Sequence, residues 1–433
     1  MNDYYKIKNI CKIKGGKRIP KGEVLQKEKN SHPYIRILDM YQGRIINISK
    51  DMLYAKESYI KQIKNYIVNE NDVILAIVGN TLGMVSIIGN TLDTAQLTEN
   101  CCKFVDIQED KINRLFLYYA LISPLNQNVI KKFRVGSSQP KLPLYNVGEL
   151  SVPKFTLAIQ SKISNLLSNI DSKIELNNKI NNELESMAKT IYDYWFLQFE
   201  FPNEEGKPYK SSGGKMVWNE ELKREIPEGW EVVNLSSCIK SINTGLNPRK
   251  NFKLNTGKFK YITVKNINID GSIDFNNCDT IDIEALKLIQ DRSKLSKGDI
   301  LFASIAPLGR CYLLEETPTD WNINESVFSI RPNNNISSYL LYYYLVSDEF
   351  IKKATYSTVG SVFQGIRINT ILNMKMLLPK KEIIHCFDSR ISSLTLLKYK
   401  RLNENQELTK LRDFLLPLLM NGQVGFKEDK AEG

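Results

Sequence analysis

At 433 residues the chain can bury two cores of about 150 residues each and still have sequence left for connecting helices. Its 59 Lys and Arg against 48 acids give a net charge of +11, a balance that suits a polyanion such as nucleic acid, although an AT-rich coding sequence rich in Lys, Asn and Ile would give the same excess. Seven scattered cysteines without a Cys-x-x-Cys argue against a disulfide scaffold, and His32 and His385 lie too far apart for metal-ligand spacing, so no metal site is expected. With no basic-then-apolar leader and no apolar run of 18 residues, a soluble, cytoplasmic protein with reduced thiols is the expectation.

In chain order, residues 4–14 alternate, with Lys6, Lys8, Lys12 and Lys14 on one face and Cys11 and Ile13 on the other. This pattern predicts a half-exposed strand, and Gly15–Pro20 a turn after it. Short β-rich runs at Asp72–Val78 and Met84–Ile88 are punctuated by Gly and Asn, and Leu and Tyr at helical spacing predict helices at 112–122 and 338–346. Residues 1–154 and 226–380 thus read as two mixed α+β domains. Residues 155–199 and 381–422 read as long helices, 200–225 as a Gly/Pro/Ser-rich linker, and 423–433 as a polar tail.

The halves repeat one another at an offset of 224–228 positions. Tyr34-Ile-Arg-Ile37 answers to Tyr261-Ile-Thr-Val264, Leu97-Thr-Glu-Asn100 to Ile323-Asn-Glu-Ser326, and Val135-Gly-Ser137 to Val359-Gly-Ser361. Such a period is too long for a solenoid and implies a duplicated domain-plus-helix unit. In the first helix, heptads place Ile163, Ile170, Asn177, Leu184 and Ile191 in one core row, and Ile159, Leu166, Lys173, Ile180, Met187 and Tyr194 in the other. The second helix offers Phe387, Leu394, Arg401, Leu408 and Leu415, with Ile383, Arg390, Leu397, Glu404, Leu411 and Leu418. Helices of about 40 residues, or about 60 Å, need each other for burial, which favours an antiparallel pair about a pseudo-two-fold axis. Asn177 and Arg401 are the midpoints, so they are expected to share one polar layer that fixes register.

No P-loop, Gly-x-Gly-x-x-Gly or Asn/Asp-Pro-Pro-aromatic tetrapeptide is present, and two distant histidines cannot build a Ser/His/Asp set, so no catalytic residue is named. Basic loops flanked by Gly and Ser recur instead. The first pair is Gly15-Gly-Lys-Arg-Ile-Pro-Lys21, with Gly16, Lys17, Arg18 and Lys21, and Thr244-Gly-Leu-Asn-Pro-Arg-Lys250, with Thr244, Asn247, Arg249 and Lys250. The second pair contributes Ser137, Ser138, Gln139 and Lys141, and Ser361, Gln364 and Arg367. Arg36, Asn80, Thr81, Lys265, Ser304 and Arg310, in or beside the matched segments, complete the candidate DNA-contacting set. Arg, Lys, Gln and Asn can read base edges, Ser and backbone N–H groups hold phosphates, and glycine lets a backbone come close. Hairpin turns favour the same residues.

The strings Pro153…Ala158-Ile-Gln160, Leu415-Leu-Pro-Leu-Leu-Met-Asn-Gly422, Phe199-Glu-Phe-Pro-Asn-Glu-Glu-Gly-Lys-Pro-Tyr-Lys210 and Ile226-Pro-Glu-Gly-Trp-Glu-Val232, together with Val359-Gly-Ser361, carry a likeness over essentially the whole chain. It resembles the specificity subunits of type I restriction-modification systems. The resemblance implies two target recognition domains, each reading half of a bipartite double-stranded DNA target, and helices that space them and dock two methyltransferase subunits, with nuclease/translocase subunits joining the full complex. It implies too that S-adenosylmethionine and ATP bind those partners, leaving no cofactor here. His385 stands where the first helix has Gln160, which implies different docking at the second helix. The competing readings are a divergent DNA methyltransferase or nuclease, and a coiled-coil interaction protein with non-specific DNA affinity.

Overall fold

The computed structural model describes residues 3–136, 139–357 and 365–426. They form two compact units, one drawn from residues up to Glu175 and from Asn405 onward, the other running Leu176–Glu404. The long helices Leu157–Tyr192 and Lys381–Met420 each contribute to both.

In the first unit a five-stranded sheet runs in the order Lys12–Gly15, Cys101–Val105, Val73–Ala76, Val85–Ile88, Ile45–Ile46. Val73–Ala76 and Val85–Ile88 are buried along their whole length, as strands covered on both faces must be. A small sheet joins Leu53–Tyr54, Pro33–Ile35 and Gln96–Leu97, its first pairing antiparallel and its second parallel. Helix Arg114–Ile122 begins at Asn113, whose side-chain oxygen accepts from the N–H groups of Leu115 and Phe116. The strand expected over 4–14 is broken in two. Tyr4–Lys6 pairs with Ser151–Pro153 and Lys12–Gly15 with Cys101–Val105, because Ile7 and Ile10, three positions apart, both turn fully into the core through a short 3-10 turn at Ile7–Asn9.

The second unit repeats this plan. Its main sheet orders Ile239–Thr244, Val327–Pro332, Ile300–Ala303 and Cys311–Leu313, and a small sheet joins Asp279–Ile281, Phe259–Ile262 and Trp321–Ile323 with the same antiparallel-then-parallel pairing. Helix Ser338–Leu345 is capped by Ser337, the counterpart of Asn113. Even a buried carboxylate is repeated. Asp72 accepts from the N–H of Asn69 and pairs with Arg114, while Asp299 accepts from the N–H of Ser296 and takes the Arg331 guanidinium on both oxygens at 2.6 and 2.7 Å. Residues 200–225, read as linker, are folded together with their flanks. The ring of Phe201 stacks on Tyr209 and Trp230 at centroid distances of 4.5 and 5.1 Å, and Met216–Asn219 forms a hairpin with Arg224–Pro227. These aromatics lack periodicity because they pack as a local cluster, not along one face of an element.

In each unit the two long-helix segments run antiparallel. In the first, Ile163 and Leu167 share a core with Leu416, Leu419 and Met420, and Asp171 pairs with Arg412 at 3.0 Å. In the second, Trp195 packs on Phe387, Glu185 pairs with Lys398 at 2.8 Å, and Arg401 donates to the side-chain oxygen of Asn177 at 3.0 Å while the Asn177 amide donates to Glu404 at 2.8 Å. The midpoint residues therefore meet. The second core row is corrected by one position in both helices. Ile159, Leu166, Lys173, Met187 and Tyr194 are exposed, as are Arg390, Leu397, Glu404 and Leu411, whereas Gln160, Leu167, Asn181, Ala188, Trp195, Ile384, Ile391, Lys398 and Leu419 are buried. The buried row is the more polar of the two. Gln160, for example, accepts from the N–H of Asn113 and donates to the carbonyls of Lys111 and Phe155. Ile384 stands at the position of Gln160 in the second helix, and His385 is exposed.

The Asn177–Arg401 contact generates a test. Arg401→Leu alone leaves the buried Asn177 oxygen without this donor and should cost about 1–3 kcal/mol in urea unfolding. The double change Asn177→Leu, Arg401→Leu should recover or exceed the parent stability, since apolar substitutes often match buried polar sets. A double variant less stable than Arg401→Leu would contradict this account.

Candidate nucleic-acid interface

The first basic loop packs against the corresponding turn in both units, its glycine donating to carbonyls that are not equivalent in the repeat. Gly16 donates its N–H to the carbonyl of Cys101 at 2.9 Å and Gly245 to that of Asn324 at 3.2 Å. A Cβ on Gly16 would lie 2.0 Å from the Thr98 carbonyl oxygen, and one on Gly245 1.7 Å from that of Ile323, so each glycine is needed for a close approach of protein backbone. One residue on, the hydroxyl of Tyr34 donates to the carbonyl of Lys17 at 2.8 Å, and that of Tyr261 to the carbonyl of Leu246 at 2.5 Å. Burial pushes the Tyr34 phenol up to about 12, so it stays a donor at neutral pH. Next come Arg18, paired with Glu99 at 2.8 Å, and Asn247, whose amide donates to Glu325 at 2.6 Å. Lys17, Arg18 and Lys21 are exposed in one unit, and Arg249 and Lys250 in the other. Asn247 also caps the short helix Pro248–Asn251 by accepting from the N–H of Arg249.

The second loop is anchored to the edge of the same region. The N–H of Ile77 donates to the carbonyl of Asn100, and that of Leu142 to the carbonyl of Ile77, both at 2.8 Å. In the other unit the N–H and hydroxyl of Ser304 donate to the carbonyl of Ser326 at 3.0 and 2.8 Å, and the N–H of Ile366 donates to the carbonyl of Ser304 at 2.8 Å. The turn bearing Glu99, or Glu325, thus holds both loops of its unit. Gln139, Lys141 and Arg367 are exposed; Ser137, Ser138, Ser361 and Gln364 lie outside the described residues. Bridge partners revise one equivalence. Lys141 pairs with Val78 as Gly365 does with Ile305, so Lys141 corresponds to Gly365; Arg367, preceding helix Ile368–Leu372, corresponds to Pro143, preceding helix Leu144–Val147.

The remaining candidates divide. Asn80 is exposed in the turn after Val73–Ala76, and the N–H of Gly79 donates to the carbonyl of Pro140 at 2.8 Å, which brings this turn beside the second loop; Thr81 is half-buried. Lys265 is exposed and lines a cavity of about 400 Å³ with Asn268 and Arg310. Arg310 is half-buried and donates to the carbonyl of Val264 at 3.1 Å. Arg36 is committed inward. It forks onto Asp39 at 3.0 and 2.9 Å and donates to the carbonyl of Asp51, and the Asp39 hydrogen bond holds its pKa above the usual value. Thr244 accepts from Arg292, and Ser304 is buried.

Glu99 and Glu325 escaped notice in the sequence, although they are the shared third letters of the matched strings Leu97-Thr-Glu-Asn100 and Ile323-Asn-Glu-Ser326. Duplication of an acid inside a basic surface was the available signal. Among the described residues no cluster of three or more His, Cys, Asp or Glu side chains is placed to hold a metal ion, and no helix is long and apolar enough to cross a membrane. The exposed basic side chains of the described loop residues, fixed to one turn in each unit, are of the types that contact phosphates and base edges.

The profile described as Type I restriction modification DNA specificity domain matches residues 2–186 and again 227–407. The type I restriction enzyme MjaIX specificity subunit of Methanocaldococcus jannaschii is 27% identical over 98% of this chain and 94% of its own length. The MjaVIII specificity subunit of the same organism is 26% identical over 98% of each chain. Among solved structures, that of the type-I restriction-modification system S subunit from M. genitalium matches with a TM-score of 0.54 and 18% identity over 96% of each chain, a likeness of fold. With two matched copies that together span most of its length, the chain belongs to the type I restriction-modification DNA specificity family.

Proposed function

We propose that this chain is the DNA-recognition subunit of a type I restriction-modification complex, each unit reading one half of a bipartite target and neither performing chemistry itself. The observation that carries the reading is the duplicated mounting: two basic loops in each unit, held against the turn that bears Glu99 or Glu325 by a tyrosine hydroxyl, the glutamate and backbone hydrogen bonds. Duplicated readers suit two similar DNA segments with unread bases between them. The relatives are named specificity subunits, which supports a recognition role. Methyl transfer, cleavage and translocation would belong to partner subunits in the cytoplasm, which would bring S-adenosylmethionine and ATP with them.

The outward row of the long helices supports docking of two methyltransferase subunits. Met187 is 52% exposed and Leu411 46%, and Leu166, Tyr194 and Leu397 lie in the same rows. These exposed apolar side chains, interspersed with Lys173, Arg390 and Glu404, suit a protein contact of mixed character.

Co-expression with the methyltransferase partner followed by methylome sequencing should give one split motif, and the purified chain alone should neither methylate nor cleave DNA. Methyl transfer by the chain alone would overturn the reading in favour of a divergent enzyme. Arg367→Ala should then separate base reading from phosphate contact. A base reader would lose about 1–3 kcal/mol of discrimination at one position of one half-site, whereas a phosphate contact would weaken all sequences and lower the salt slope by about one unit. In a second experiment, Met187→Glu with Leu397→Glu should reduce capture of the methyltransferase subunit about tenfold or more while DNA affinity of the chain holds.

A further inference from the structure

We infer that Glu99 and Glu325 are positioning residues for sequence readout, each locking the first loop of its own unit to the turn that also carries the second loop. The inference rests on the reading of the two units as DNA-recognition domains and assigns that task to acids which contact the loops, not the DNA.

Three observations converge on them. Each glutamate bonds the loop residue that follows the tyrosine-held carbonyl, Arg18 in one unit and Asn247 in the other. The loop residues differ in type and the carboxylate does not, which is what a mount with interchangeable tips requires. The backbone of the same turn also supports the second loop, through Asn100 and Ile77 in one unit and Ser326 and Ser304 in the other. A carboxylate on a surface meant for phosphates is otherwise unfavourable, because like charges repel. Here its charge is directed at a donor within the protein: Glu99 takes Arg18 on one oxygen and the Thr98 hydroxyl, at 3.0 Å, on the other.

The two mounts should differ in strength. The Arg18 side chain is 79% exposed, so its ion pair with Glu99 is solvent-screened and weak. Asn247 is half-buried, caps the helix that presents Arg249 and Lys250, and bonds Glu325 through a short charge-assisted contact. Loss of Glu325 therefore frees a helix start and two reading cations together, and loss of Glu99 frees one side chain.

The test uses the full chain co-expressed with its methyltransferase partner, with motifs read by methylome sequencing. Glu325→Ala and Asn247→Ala should relax the same one or two positions of one half-site by about tenfold and leave the other half-site unchanged. Glu325→Gln, which retains an acceptor for the Asn247 amide, should restore most of the discrimination. Glu99→Ala should act on the opposite half-site with a smaller effect. If Glu325→Ala fails to fold, Asn247→Ala and Glu325→Gln still decide the matter, since they leave no hole at that position. Unchanged motifs in Asn247→Ala, or changes in both half-sites from one variant, would overturn the inference. So would loss of a single cytosine position in Glu325→Gln with Asn247→Ala unaffected, because a carboxylate can accept from the cytosine amino group directly. A parent chain that directs no bipartite methylation would instead overturn the reading on which the inference rests.

Discussion

Burial of polar groups between the long-helix segments is the constraint on which the rest of the structure depends. A helix segment removed from water along one face must satisfy every polar side chain it buries, or lose more than it gains. Here Asp171 finds Arg412 and the hydroxyl of Tyr119, Asn177 finds Arg401 and Glu404, and Lys398 finds Glu185 and the carbonyl of Asp270, while Asn181 is the costly exception, its buried amide atoms without a hydrogen-bond partner among the described residues. A shift by one residue would strand these groups, so the polar seam sets register more strictly than an apolar one could. It also fixes each unit onto its helices. Tyr119 reaches Asp171 from helix Arg114–Ile122, and Arg44 reaches Ser168 and Glu175 from the edge of the first sheet. In the second unit the cation comes from the helix, as Lys398 takes a loop carbonyl.

Duplication is visible at three depths. Four strands of the main sheets share order and pairing sense, the caps Asn113 and Ser337 stand at matched positions, and Asp72 and Asp299 each accept from the N–H three residues back and take a cation, Arg114 from a helix start and Arg331 from a strand. At the reading surface the chassis is kept while the exposed residues differ. Glycine, tyrosine and glutamate recur in the first-loop mount, but Lys17 and Arg18 face Leu246 and Asn247. A rigid mount with variable tips is what specificity for two different half-sites calls for, because discrimination comes from placing donors and acceptors accurately, not from added charge.

The charge of +11 contributes differently. Exposed cations such as Lys21, Lys141 and Lys250 are the ones free to attract a polyanion without regard to sequence, an attraction that salt screens. Arg36 and Arg331 spend their charge internally on Asp39 and Asp299, and so count in the composition without counting at the surface. Net charge alone therefore overstates what is available to DNA.

The sequence by itself determined the duplication, the α+β class, the long helices, and the meeting of Asn177 with Arg401, because these follow from order, periodicity and distance along a straight rod. Only the tertiary structure decided which helix row faces inward. Leu166 and Leu167 are neighbours of equal hydrophobicity, and the inward row includes Lys398 and Asn181, which pattern alone would place in water. A lysine is buried there because Glu185 and the Asp270 carbonyl, distant in sequence, meet its charge. The same holds for the site. Basic loops announce themselves in one dimension, but the roles of Gly16, Arg36, Ser304, Glu99 and Glu325, and the match of Arg367 to Pro143 and not Lys141, depend on what the fold brings against them. Hydrogen bonds and close contacts between distant segments leave no periodic trace in the chain, so this part of the site became readable only once the segments were placed together.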